Sequence, residues 1–173
     1  MTIAVVLVLA ASLFAAASDV RTRRIPDVLV VALLLGGLAV NAFAGWQHAA
    51  LDVAIAFAVL ILGSFAFSLK LIGGGDVKLL AAAAGTLGYP WATTFLLSTL
   101  LCGGVIAIVY SMLRGRLRTT FSNLKTIALP IFAGVRPARL ETGTAMPYAL
   151  AIFAGACLTA IVSGLAPHQR LPW

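Results

Sequence analysis

The stretch Leu51–Leu69, LDVAIAFAVLILGSFAFSL, carries a single charged side chain, Asp52, at its second position. Crossing the roughly 30 Å hydrocarbon core of a bilayer takes about 20 mostly apolar residues in a helix, so this stretch is long enough to span. Four more apolar runs flank it: Thr2–Ser18, Ile25–Ala44, Ala92–Leu113 and Thr144–Leu165. Between them lies a shorter Ala-rich run, Val77–Tyr89, set off by Gly73-Gly74-Gly75 before it and Pro90 after it. At 1.5 Å per residue that run reaches only about 20 Å, short for a full crossing. The pattern predicts an all-α polytopic membrane protein, a bundle of about six transmembrane helices in one domain covering residues 1–173, with the lipid bilayer as its surroundings.

Composition agrees. The chain is 62% hydrophobic and only 10% charged, against about 25% charged in soluble domains, and its mean hydropathy is +1.08. These values exclude a disordered chain, a disulfide scaffold and a large domain outside the membrane. A net charge of +7 would suggest a nucleic-acid partner in a soluble protein. Here the basic residues are scattered among apolar blocks, and no nucleic-acid role is expected.

The same charges predict orientation. Arg21, Arg23 and Arg24 follow the first run, Lys70 and Lys78 flank the glycines, and Arg114, Arg116, Arg118, Lys125, Arg136 and Arg139 lie between the last two runs. All fall on one side of a six-span topology, leaving Arg170 opposite. Loops rich in Lys and Arg stay cytoplasmic, so the N-terminus is expected outside. A cleaved signal peptide is the competing reading of the first run, through Ala15-Ala16-Ala17. The basic cluster follows that run rather than preceding it, which favours a retained span. Thr119–Gly143 reads as an interfacial segment, broken by Pro130 and Gly134.

Cys102 and Cys157 sit alone in apolar runs and read as small buried hydrophobes. No Cys/His spacing suggests a metal, and no cofactor is expected. His48 and His168 fall in expected external loops.

The five acidic residues carry the chemical information. Asp52 reads as a helix N-cap and Glu141 as a solvated loop residue. Asp19 and Asp76 differ, because the topology puts both at the cytoplasmic ends of spans. Two carboxylates that meet at one depth titrate as a pair, one charged and one protonated, and so can activate water and protonate a leaving amine. Capping a helix or pairing with a nearby Arg would place aspartates at the same positions, and spacing alone leaves both readings open. Around Asp76 the sequence is Gly73-Gly74-Gly75-Asp76-Val77-Lys78, where glycines permit close backbone approach and unusual dihedrals.

With these residues in view, the chain resembles the type IV prepilin peptidases, intramembrane aspartyl proteases with a G-x-G-D motif. Gly73, Gly75, Asp76 and the following Lys78 match that motif. Asp19-Val20-Arg21-Thr22-Arg23-Arg24-Ile25-Pro26-Asp27 resembles the family's first-aspartate motif, with Asp27 where Asn is usual. Met146-Pro147-Tyr148-Ala149 resembles a Pro-Tyr element near the family's C-terminus. The resemblance implies catalysis by Asp19 and Asp76 and substrate contacts by Gly73, Gly75, Lys78, Pro147 and Tyr148. It implies a prepilin substrate, with a basic leader and an apolar helix, cut at the cytoplasmic face of a bacterial inner membrane. The chain opens directly on a span and lacks a cysteine pair. It therefore looks like the short peptidases of tight-adherence (Flp) pilus systems, without the N-methylating region of larger relatives. Two other classes remain: an ion- or proton-coupled transporter, and a non-catalytic assembly component of a secretion or pilus system. Lys78 also reads simply as a snorkelling interfacial lysine.

Overall fold

Proline and glycine punctuate a chain that is otherwise strongly helical. In the computed structural model, residues 2–22, 24–43, 45–68, 72–113 and 148–165 are described, and every element among them is a helix. In order these are α1 (Thr2–Thr22), α2 (Asp27–Ala42), α3 (Trp46–Ser68), α4 (Gly74–Leu87), α5 (Trp91–Leu113) and α6 (Ala149–Leu165). Pro26 lacks an N–H and is the N-cap of α2, with φ −63° and ψ 126°. Gly88, at φ 65°, ends α4 and donates its N–H to the Ala84 carbonyl at 3.1 Å.

The six helices among the described residues agree with the sequence. Three helices are long and apolar enough to cross a bilayer: α1 over Ile3–Thr22, α3 over Ala49–Ser68 and α5 over Trp91–Leu113. The apolar α2 and α6 are shorter, with 16 and 17 residues, and α4 has 14. Pro26 is the N-cap of α2, and Gly73 and Gly88 are the N-cap and C-cap of α4.

The short helix lies at the centre. α4 packs against α1, α2, α3 and α5, and α6 closes against α1 and α5. Val77, Leu79 and every residue from Ala81 to Leu87 are buried. Large apolar side chains such as Phe57, Leu62, Leu101 and Val105 point outward instead, the arrangement lipid-facing helices require. Small residues let the backbones approach. A Cβ at Gly63 would stand 2.6 Å from Val77 Cγ1, one at Gly85 2.8 Å from the Ala56 Cβ, and one at Gly37 2.8 Å from the Thr86 Cα.

Several boundaries move relative to expectation, and two of them matter most. α1 continues past Ser18 to Thr22, so Asp19 lies within its last turns. α3 begins at Trp46, before Leu51, so His48 is helical and Asp52 is no N-cap. Asp52 is only 6% exposed and accepts a 2.7 Å hydrogen bond from Asn41 Nδ2. The same amide donates to the Thr86 carbonyl at 3.1 Å, and Thr86 Oγ1 donates to the Leu33 carbonyl at 3.1 Å. This polar knot ties the far end of α4 to α2 and α3. The Thr119–Gly143 segment, Glu141, His168 and the basic residues from Arg114 to Arg139 lie outside the described residues.

These contacts set a test. Gly37→Ala, which presses a methyl on the Thr86 backbone, is expected to cost about 1–3 kcal/mol and lower the melting temperature in detergent. Gly104→Ala, where a Cβ meets nothing within 4 Å, is expected to leave it unchanged or higher.

Candidate active site

Residues 24–26 join α1 to α2 in three non-helical positions. Ile25 precedes proline and is thereby biased to extended backbone, which turns the chain sharply out of α1. The turn is closed by hydroxyls: Ser18 Oγ donates to the Arg24 carbonyl at 2.9 Å. Thr22 Oγ1 donates to the Ser18 carbonyl at 2.9 Å, with the Arg24 carbonyl at 3.3 Å as a longer second acceptor.

Opposite this turn, Gly73 is the N-cap of α4 and Asp76 is its third helical residue. The Asp76 carboxylate takes a hydrogen bond from the Gly73 backbone N–H, half of a capping box. Its Oδ1 is buried and has no hydrogen-bond partner among the described residues, so Oδ2 is the capping oxygen. One carboxylate thus both caps a helix and keeps an oxygen uncommitted.

The glycines are needed for space. Gly73 has an ordinary φ of −72°, so no unusual dihedral explains it. A Cβ there would stand 2.8 Å from Asp76 Oδ2. At Gly75 it would meet the Ile25 Cβ at 3.3 Å, and at Gly74 the Phe67 ring at 3.4 Å. These glycines thus make room for the Asp76 carboxylate, the α1–α2 turn and the Phe67 ring.

Together these pieces enclose a pocket of about 320 Å³. It is lined by Asp19, Arg24, Ile25, Asp27, Gly73, Gly74, Gly75, Asp76 and Lys78, so five of the seven residues singled out in the sequence meet in one place. Asp19, partly buried near the end of α1, interacts electrostatically with Asp76. Tyr148 is not among the lining residues; it packs on α5, its Cε2 3.2 Å from where a Gly103 Cβ would be, and its phenol feels the Asp76 charge. Pro147 lies outside the described residues.

Lys78 has a partner of its own. Its Nζ donates to Asp27 Oδ1 at 2.7 Å, with the side chains 51% and 71% exposed. Asp27, the residue that departs from the family motif, therefore joins the first turn of α2 to α4. Neither that pairing nor the hydroxyl closure by Ser18 and Thr22 was visible in the sequence, because both depend on how the turn folds back. Arg24, read there only as a topology signal, also lines the pocket. No group of three or more His, Cys, Asp or Glu side chains able to hold a metal occurs among the described residues.

A family model described as the type IV leader peptidase family matches residues 6–108. The match takes in every pocket-lining residue and stops before Tyr148. No curated protein and no solved structure matches the chain significantly.

The exposure of the Asp27–Lys78 pair limits its energy to about 1 kcal/mol or less. A double-mutant cycle on Asp27→Asn and Lys78→Met, read by unfolding in detergent, is expected to give a coupling within that limit that shrinks in 1 M salt, since a Debye length falls to about 3 Å there.

Proposed function

The chain belongs to the type IV leader peptidase family, and from that membership we propose that it is an aspartyl endopeptidase removing the leader of Flp-type prepilins. One observation carries the reading: two carboxylates on different helices, Asp19 and Asp76, line a single pocket with the glycine stretch. The apolar helices support a membrane protein, and the basic residues beside the pocket support a cytoplasmic location for it in a bacterial inner membrane.

The proposed reaction needs one proton shared between the two carboxylates. The ionised aspartate takes a proton from a water held between them as the oxygen attacks the peptide carbonyl. The protonated aspartate gives its proton to the carbonyl oxygen, forming a tetrahedral diol. Collapse breaks the C–N bond: the first aspartate protonates the leaving amine, and a diol hydroxyl returns its proton to the second. The pair ends as it began, with one proton. Asp76 Oδ1, lacking a partner among the described residues, is the oxygen best placed for this work. Its Oδ2 is held by the Gly73 N–H, which fixes the side chain without using both oxygens.

Substrate contacts are proposed for Gly73, Gly75, Lys78, Pro147 and Tyr148. For Lys78 the supporting observation is its exposure within the pocket, where a peptide can compete for the Asp27 carboxylate. The transporter reading gains one feature from the buried Asp52, but the Asn41 amide engages that carboxylate.

Purified protein in liposomes is expected to cut a tagged Flp-type prepilin after the glycine that precedes its apolar helix. Asp19→Asn and Asp76→Asn are each expected to lower kcat/KM by ~10³-fold or more, as members of a catalytic unit do. Wild-type kcat is expected to follow a bell-shaped pH profile, falling on the acid side as the base is protonated and on the alkaline side as the shared proton is lost. Cleavage that survives either substitution removes the dyad. No cleavage of several prepilins, with proton or ion flux in the same liposomes, replaces the peptidase with a transporter.

Gly73→Ala pushes a methyl against Asp76 Oδ2. It is expected to lower kcat by about 10²-fold, the scale of an ångström-sized misplacement, while the protein remains folded by circular dichroism.

A further inference from the structure

We propose that Ser18 and Thr22 are positioning residues that set the distance between the two aspartates by clamping the Arg24 carbonyl. The inference rests on the peptidase reading and adds residues that take no part in the chemistry.

The two carboxylates belong to elements that need not keep a fixed separation, one near the end of a long helix and the other at the start of a short one. A path with only two non-covalent steps connects them. Asp19 is bonded to Ser18, whose Oγ holds the Arg24 carbonyl at 2.9 Å. Arg24 is bonded to Ile25, whose side chain rests on Gly75, where a Cβ would stand 3.3 Å from the Ile25 Cβ. Gly75 is bonded to Asp76. The hydrogen bond is short and Ile25 leaves little room for a side chain at position 75, so a shift of the turn is passed on to the dyad.

The hydroxyls suit this task. Ser18 and Thr22 are four residues apart on one face of α1, with their oxygens 3.4 Å apart. The Arg24 carbonyl lies beyond the helix end, where no helical N–H reaches it. Without a donor it would turn to water, and the turn would lose the hydroxyl contacts that hold it to α1. The Asp27–Lys78 pair holds the turn's other end to α4, and it is exposed. The Ser18 and Thr22 hydroxyls are near the surface, and their loss removes little buried packing. Positioning is therefore separable from folding.

The test compares Ser18→Ala/Thr22→Val with wild type and with Ser18→Thr, which keeps the hydroxyl. Ser12→Ala serves as control, because Ser12 Oγ bonds only the Leu9 carbonyl within α1. Steady-state cleavage of the prepilin is expected to show a kcat loss of about 10- to 100-fold in the double variant, with KM changed less than about 2-fold. Ser18→Thr is expected to restore most of the loss, and Ser12→Ala to behave as wild type. Hydrogen exchange of the peptide covering residues 20–30 gives a readout independent of activity: it is expected to quicken in the double variant and to return to normal in Ser18→Thr. Unchanged kcat, or unchanged exchange, in the double variant overturns the clamp. An equal loss of melting temperature and kcat that Ser18→Thr does not restore overturns the positioning role. If wild type cuts no prepilin, the peptidase reading fails, and exchange alone decides whether the clamp holds the turn.

Discussion

Everything in this molecule is arranged around a helix too short for its surroundings. α4 has 14 residues, about 21 Å of rise, in a bilayer whose core is about 30 Å thick. A helix of that length cannot leave its unpaired end groups in hydrocarbon, where each costs several kcal/mol. The remedy is to bury it inside longer helices and give each end a polar partner. Alanines and glycines along α4, with Gly37 on α2 and Gly63 on α3 facing it, let the neighbours come close enough to do so.

The two ends are treated differently, and the difference is chemical. At the far end the Asn41 amide spends both of its hydrogens, one on Asp52 and one on the Thr86 carbonyl. That carboxylate is engaged in packing. At the near end Asp76 caps its own helix through one oxygen and leaves Oδ1 buried without a partner among the described residues. Leaving a buried polar atom unpaired costs about 1–3 kcal/mol, a cost consistent with the catalytic role proposed for Asp76. The second carboxylate in the same pocket gives that role its partner.

Much of this was legible in the sequence, for reasons that can be named. Apolar runs of bilayer length announced α1, α3 and α5 because composition alone decides whether a long helix is stable in lipid. Gly73-Gly74-Gly75-Asp76 and Asp19 drew notice because acidic groups are rare in such a chain, and the structure puts them in one pocket. The ends of elements were less legible. Asp52 looked like a cap because it opens an apolar run, yet α3 starts earlier at Trp46, where a polar residue such as Gln47 continues the helix at little cost. The glycines also make room for Ile25 and the Asp76 carboxylate, which residue spacing does not announce. A sequence reports that room exists; which group fills it depends on the fold of residues 24–26, which hangs on a hydroxyl and a carbonyl six residues apart.

The position of the pocket follows from the same shortness. A hydrolase consumes water, and a carboxylate pair deep in hydrocarbon would have neither water to activate nor a proton reservoir to refill it. Because α4 falls about 10 Å short of the bilayer thickness, its first turn sits where the turn at 24–26 and the residues at 72–73 replace helix with irregular backbone. Such backbone is tolerated at membrane depth only where protein covers it or water reaches it. Here both conditions meet: Ile25 covers Gly75, and the exposed Asp27 and Lys78 border the same pocket. A full-length fourth span carrying Asp76 in its first turn would move that carboxylate away from Asp19 near the end of α1, or would need a longer turn to bring them together. On the proposed reading, the truncation of α4 is the feature that lets α1 and α4 present two aspartates to one pocket that water can reach.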